Sequence, residues 1–341
     1  SMCGTFLVRS GILNSVHTFA NDPERGIFIL IFLFILISIS LIIFFFFHRK
    51  DNNNVSKIFW LSKDASILIN NWFMMYFLSV VLIGTLYPIF LDVISSQKIS
   101  VGPPFYQKLI IPFLIPFLIF MAIGPNLNWI KSKLNNKLSL ISFFLVAILI
   151  SLIILRNYNS NLLLNTILIS ASLFLLFITI KDLFLKKSKS SAQNVAHFGF
   201  SLLIVSILIN GLFSSEIITN LKVGDNFNFK KNNIFFEKIE KEKNKNYSAI
   251  VGHFKIKDKT GKTTYLKPEL RIYNQPIIVT SEADIKSTFF KDKFLVMNNI
   301  ENQEYFNIRY QIKPFMILIW ISVLILSLGG LMSFFYKSYE K

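Results

Sequence analysis

Long stretches free of Asp, Glu, Lys and Arg alternate with short polar segments along most of this chain. Seven such runs stand out, at 26–47, 65–91, 109–130, 138–155, 157–180, 190–215 and 314–336. A helix crossing the hydrocarbon of a bilayer needs about 20 apolar residues, so the pattern predicts seven transmembrane helices. The third run is interrupted by Pro112, Pro116 and Pro125, which remove backbone donors and kink a helix unless neighbours satisfy the freed groups. Thr85-Leu-Tyr-Pro88 is expected to end the second span, and Ser100-Val-Gly-Pro-Pro-Phe-Tyr106 to form a rigid turn after it. Asp22-Pro23-Glu24 reads as the start of the first full span: a capping Asp, Pro at the first helical position and an acid in the first turn. Residues 1–13 read as the tail of a further helix entered partway, with Arg9 where it leaves the membrane.

The pattern changes at 214–313. Here 18 basic and 12 acidic residues are spread through short alternating segments. Ile250, Gly252, Phe254 and Ile256 alternate with Val251, His253, Lys255 and Lys257, and Asp258–Lys262, with Gly261, can turn the chain back into 263–266. Lys238–Lys245 reads as a solvated loop or hairpin tip. The fold class is therefore a polytopic α-helical membrane protein of about seven transmembrane helices, with a small mostly-β extracytoplasmic domain between the last two spans. The expected divisions are a far-side segment at 1–25, six helices at 26–213, the β domain at 214–313, and a last helix with a cytoplasmic tail at 314–341.

Basic residues in short loops set orientation. Arg49, Lys50, Lys57 and Lys63 follow the first span, Lys131, Lys133 and Lys137 the third, and Lys181, Lys186, Lys187 and Lys189 the fifth. The alternate loops are poorer, holding Lys98, Lys108 and Arg156. The rich loops are thus cytoplasmic or matrix-side, and 1–25 and 214–313 lie opposite, in the periplasm of a bacterium or beyond a mitochondrial inner membrane.

Composition agrees with a membrane protein: 53% hydrophobic, 15% aromatic and only 16% charged residues, against about a quarter charged in soluble domains. The formal charge is +17, but 30 of the 36 basic residues are Lys, alongside abundant Asn, Ile and Phe. That is coding bias and loop topology rather than a nucleic-acid footprint. A single cysteine, Cys3, excludes a disulfide framework, a CxxC pair and a cysteine metal site.

Four histidines remain as candidate chemistry. His197 lies inside an uncharged run, about 9 Å beyond its cytoplasmic end at 1.5 Å per residue. An ionisable residue inside a span defaults to function, and neutral imidazole suits haem iron. Gln193, Asn194 and Ser201, at i−4, i−3 and i+4, are placed to bond its second nitrogen. The alternative is an interhelical hydrogen bond worth about 1 kcal/mol. A second axial imidazole at that depth is not found in this chain. His17 stands at the far-side surface just before a span, flanked by Arg9 and Arg25, which could pair with propionates; the alternative is an interfacial loop histidine with snorkelling arginines. His48 is an interface anchor, and His253, alternating with lysines on a strand, is given no role.

Several segments together resemble one family, the CcmF haem lyase subunits of system I cytochrome c maturation. They are Gly4-Thr-Phe-Leu-Val-Arg-Ser-Gly11, Ser15-Val-His-Thr-Phe-Ala-Asn-Asp-Pro-Glu-Arg-Gly26, Asn70-Asn71 with Gly84-Thr-Leu-Tyr-Pro88, Ile99-Ser-Val-Gly-Pro-Pro-Phe105, Ala196-His-Phe-Gly199, Glu269 with Arg271 and Tyr273, the stretch around Glu282, and Lys313-Pro-Phe with Trp320 and Leu328-Gly-Gly330. The resemblance implies a protein that takes haem from the chaperone CcmE and assists its thioether attachment to Cys-x-x-Cys-His of apocytochrome c. His17 matches the second of two far-side haem ligands, and His197 the second of two ligands of a transmembrane b-type haem that passes electrons, from quinol, to the haem iron. The WWD segment and the first ligand of each pair would precede residue 1. The resemblance thus implies a C-terminal portion needing an N-terminal CcmF half or companion for lyase activity, with CcmH-type subunits as further partners. No acid, base or nucleophile is assigned to this chain. A different class, a secondary transporter with a broken-helix site at the proline-rich third span, is the alternative.

Overall fold

The computed structural model describes residues 4–6, 23–47, 58–95, 99, 101–131, 137–156, 158, 161–184, 191–259, 261–274, 277–299 and 304–335. Among them, seven helices are long and apolar enough to cross a membrane: α1 (Pro23–Phe47), α2 (Lys63–Ser95), α3 (Pro103–Ile123), α4 (Lys137–Leu155), α5 (Leu162–Phe184), α6 (Ser191–Phe213) and α7 (Met316–Phe335). The chain divides into two compact units, Ser1–Asn135 and Asn136–Lys341.

In the first unit, α1 begins at Pro23 with Glu24 in its first turn; the expected cap Asp22 lies outside the described residues. α2 and α3 pack through aromatics. Phe117 meets Phe73 and Phe77 edge-on at 5.7 and 5.6 Å, and the Tyr76 hydroxyl donates to the Leu109 carbonyl at 2.9 Å. Three boundaries differ from expectation, all at prolines. α2 runs through Pro88 to Ser95, because membrane helices carry an interior proline where neighbours support the freed backbone. α3 begins at Pro103 rather than after a rigid turn: Gly102 is its extended N-cap and proline occupies the first turn, where its missing N–H costs nothing. α3 then stays helical across Pro112 and Pro116, and Pro125 falls in the 3-10 turn Gly124–Asn126 beyond it. The half-helix ends required by a broken-helix transporter site are therefore not present in α3.

In the second unit, small polar residues tie α4, α5 and α6 together. Ser151 and Ser170 hydroxyls meet at 2.8 Å between α4 and α5, and Thr179 and Ser201 at 3.0 Å between α5 and α6. α5 begins at Leu162, five residues later than the uncharged run, and carries Lys181 and Asp182 inside its last turn. The α6–α7 contact is closer still. A Cβ on Gly199 would lie 2.5 Å from the Leu326 nitrogen, and one on Gly329 2.5 Å from the Ala196 nitrogen. Glycine is needed at both positions because backbone approaches backbone.

Among the described residues between α6 and α7 there are ten strands: β1 (Ser215–Leu221), β2 (Asn226–Phe229), β3 (Asn232–Lys243), β4 (Tyr247–Asp258), β5 (Thr263–Leu266), β6 (Glu269–Asn274), β7 (Ile277–Glu282), β8 (Asp284–Ser287), β9 (Lys291–Asn299) and β10 (Phe306–Pro314). One antiparallel sheet has the order β1-β10-β9-β8, the other β2-β3-β4-β6-β7 with β5 beside β4. Alternate residues of both sheets bury a common core of Leu221, Ile234, Phe236, Phe254, Leu295 and Tyr310, among others. The predicted hairpin is present: Lys257 pairs with Thr263, and Gly261 takes φ +81° in the turn. Lys238–Lys243 differs from expectation. It is the outer half of β3, paired with Ser248–His253 of β4, and only the residues beyond Lys243 form the tip.

Candidate functional site

His197 is the imidazole that the described spans contribute, six residues into α6 and half-buried. Its helix is fixed on two faces. Toward α5, Asn194 Nδ2 donates to the Asp182 carbonyl at 3.2 Å, and Ser201 Oγ meets Thr179 Oγ1. Toward α7, Ala196 and Gly199 abut Gly329 and Leu326. At about 100° per residue, His197 points some 50° from the middle of the first face and some 130° from the second. It therefore occupies a flank between packed faces, on a helix that cannot rotate without breaking either. Of Gln193, Asn194 and Ser201, the three residues expected to bond the imidazole, Asn194 and Ser201 are engaged with α5, and Ser201 Oγ also donates to the Phe198 carbonyl at 2.9 Å.

Arg9 and His17 lie outside the described residues, as do Cys3 and His48. Arg25 is exposed in the first turn of α1. Arg25 and His197 belong to different compact units. No group of three His, Cys, Asp or Glu residues able to hold a metal ion occurs among the described residues. For a haem, the donor chemistry here is thus a single axial nitrogen, which fits His197: an imidazole in an apolar span, on a helix held in place on two faces.

The sandwich presents a second cluster. β4, β6 and β7 place Tyr247, Arg271, Glu269 and Glu282 on one sheet face by register. Arg271 Nε donates to Glu269 Oε2 at 2.8 Å, and its guanidinium lies 4.8 Å from the Tyr247 ring. The Tyr247 and Tyr273 rings are 5.4 Å apart. The bond to Glu269, then one to Tyr273, raises the Arg271 pKa further above its already high value, so this cation is permanent. His253 also departs from expectation. Its side chain is only 13% exposed, and Nε2 lies 2.8 Å from Glu240 Oε2. Lys238, bonded to the same carboxylate, is the main reason that the Glu240 pKa is lowered, with His253 adding to it. The Gly199–Leu326 and Gly329–Ala196 contacts and the Tyr106 ring over Gly84 are features that the sequence reading missed. Their only linear signal is small residues at helical spacing, as in Ala196-His-Phe-Gly199.

A family model described as the CcmF C-terminal beta-sandwich matches residues 212–314. The cytochrome c-type biogenesis protein CcmF of Pseudomonas aeruginosa is 28% identical over 357 residues, covering 100% of this chain and 54% of that protein. CcmF of Escherichia coli is 29% identical over 354 residues with the same coverage. The chain thus spans about half the length of these curated relatives. A solved structure, cytochrome c heme lyase CcmF, superposes with a TM-score of 0.63 at 21% identity, covering 80% of this chain and 46% of that one; at that identity the likeness concerns the fold. With a matched sandwich, relatives aligned along the whole chain and a shared fold, the chain is similar along its length to the C-terminal half of CcmF cytochrome c-type biogenesis proteins.

Proposed function

We propose that the chain acts in cytochrome c maturation as the C-terminal portion of a CcmF haem lyase. In this reading His197 supplies one axial nitrogen to a transmembrane b-type haem, and His17 one to substrate haem delivered by CcmE and destined for Cys-x-x-Cys-His of apocytochrome c. The observation that carries it is an imidazole inside a span of a chain that aligns along its full length with CcmF relatives. The b-type haem, when bound, supplies one-electron chemistry that draws on quinol and keeps the attached iron reduced.

The chain's own residues orient and hold. His197 offers a lone pair from one ring nitrogen while the other donates, and the Asn194, Ser201 and Gly199 contacts fix the ring's azimuth. Arg9 and Arg25 are proposed to pair with propionates beside His17. Loop charge supports an extracytoplasmic position for His17 and the sandwich, with 214–313 in the periplasm and one span on either side of it. Thioether formation uses thiols of the substrate, so positioning does the main work. The remaining ligands and the WWD segment come from an N-terminal CcmF half, with CcmH-type subunits presenting the apocytochrome.

The test is complementation of a maturation-deficient host by this chain together with its N-terminal complement, scored as covalently bound haem in a reporter cytochrome c. His17→Ala and His197→Ala should each cut the yield at least tenfold, and His253→Ala should not. Undiminished yield in both ligand variants overturns the proposal.

A further inference from the structure

The helix-proximal end of the sandwich carries charge that neither packing nor haem handling uses. In a strand, residues i and i+2 share a face. On β3, β4 and β9 the inward positions are apolar at mid-strand, with Ile234, Ile256 and Leu295 fully buried. One inward step nearer α6 and α7 they become Asn232, Asp258 and Lys293, and β9 begins one step further at Lys291. The core thus turns polar at one mouth. Lys293 is 7% exposed and its Nζ donates to Asn232 Oδ1 at 3.2 Å. Lys291 Nζ stands 3.8 Å from Asp258 Oδ2. With Lys262 and Lys286, the Asp258, Lys291 and Lys293 side chains line an open cleft of about 80 Å³, which gathers four lysines against one aspartate. Burial, reinforced by Lys291 and Lys262, holds the Lys293 pKa below the ordinary lysine value, against the pull of Asp258. Such a group of cations is under-neutralised by its own protein.

The cleft also has a defined height. Lys291 pairs with Pro314, and the Phe315 N–H donates to the Phe290 carbonyl at 2.9 Å. α7 starts one residue later, and its 20 residues span about 30 Å, the thickness of bilayer hydrocarbon. The mouth therefore opens at headgroup level. In the adjoining turn Phe289 and Phe290 are 55% and 67% exposed, as aromatic side chains are where they meet the acyl boundary. The neighbouring β2–β3 and β4–β5 turns add further lysines there, joined by a bond from the Lys259 N–H to the Lys231 carbonyl at 3.1 Å.

We infer that this cleft seats the phosphate of an anionic phospholipid from the leaflet on which the sandwich rests, with Phe289 and Phe290 entering the acyl boundary beside it. Basic clusters beside a spanning helix bind anionic headgroups with about fivefold in affinity per lysine near the surface. The inference is independent of haem binding.

It is tested on the full chain in dodecyl maltoside by native mass spectrometry, titrating phosphatidylglycerol against phosphatidylcholine. Wild type should retain phosphatidylglycerol preferentially. Lys262→Gln, Lys286→Gln and Lys291→Gln combined should weaken that retention on the order of 100-fold. Lys238→Gln, Lys241→Gln and Lys245→Gln, near the opposite end of β3, should leave it unchanged. Should the first triple fail to fold, exposed Lys286→Gln alone should cost about fivefold. Equal retention of the two lipids, equal loss in both triples, or displacement of phosphatidylglycerol by equimolar inorganic phosphate would overturn the inference, the last by pointing to a free-anion site.

Discussion

The α6–α7 contact gives the sharpest quantitative prediction. In Gly329→Ala the new Cβ falls 2.5 Å from the Ala196 nitrogen, 2.7 Å from its Cα and 2.8 Å from its Cβ. Ordinary contact begins at 3.4 Å, so the helices must part by about 0.9 Å, the difference between 3.4 and 2.5. Neither helix can absorb this with a side-chain rotation, because the obstructing atoms are mostly backbone. Overpacking of this kind costs about 1–3 kcal/mol, and a gap of 0.5–1 Å along the seam forfeits about a quarter to a half of each dispersion contact. Gly330 is the internal control, since a Cβ there meets nothing within 4 Å. Both alanines gain the same helix propensity, about 1 kcal/mol, so their difference isolates the steric cost. Unfolding of the purified chain by SDS titration, followed by far-ultraviolet circular dichroism, should rank Gly330→Ala at or above wild type. Gly329→Ala should fall about 1–3 kcal/mol below Gly330→Ala. If the two alanines have equal midpoints, the reasoning about close approach is wrong.

Other consequences are measurable. Phe236 and Phe254 stack at 4.2 Å and are fully buried, so Phe254→Ala should cost about 3–5 kcal/mol, visible as a lowered melting temperature of the full chain. Glu216 is bonded to Arg309 and Gln311 across β1 and β10, and Arg309 is the main cause of its lowered pKa. Its contribution is therefore present above the unfolded carboxyl value of about 4.5 and is lost as pH falls through the lower folded value. Protection of β1 amides relative to their intrinsic exchange rate at each pH should fall in that acid window, and Arg309→Gln should remove the extra pH dependence. Gly84→Ala would place a Cβ 2.7–2.9 Å from the Tyr106 ring and hydroxyl. It should lower the thermal midpoint, while Gly211→Ala, with open space around it, should not.

The spans were legible because charge is costly in hydrocarbon, so uncharged runs mark them directly. Their ends were less legible where proline stands. Pro103 and Pro88 are the same residue type with opposite outcomes, one opening a helix and the other carried inside one. The difference lies in what the neighbouring backbone can satisfy, which linear reading does not contain. The β4–β5 hairpin was readable from Gly261 and local alternation, whereas the sheet order β1-β10-β9-β8 joins segments some 90 residues apart and has no local signature. His197 was singled out because an imidazole in a span is conspicuous. That Asn194 and Ser201 belong to α5 depends on which way α6 faces, a matter settled by the glycine seam with α7. His253 was passed over because its Glu240 partner lies on the neighbouring strand.

The proposal stands or falls with His197 as an axial ligand of a transmembrane b-type haem. The most direct measurement is the dithionite-reduced minus oxidised optical spectrum of the chain purified with its N-terminal complement. Wild type and His17→Ala should show a b-type α-band, lost or converted to a high-spin spectrum in His197→Ala with the protein still folded by circular dichroism. An unaltered low-spin band in His197→Ala would contradict it.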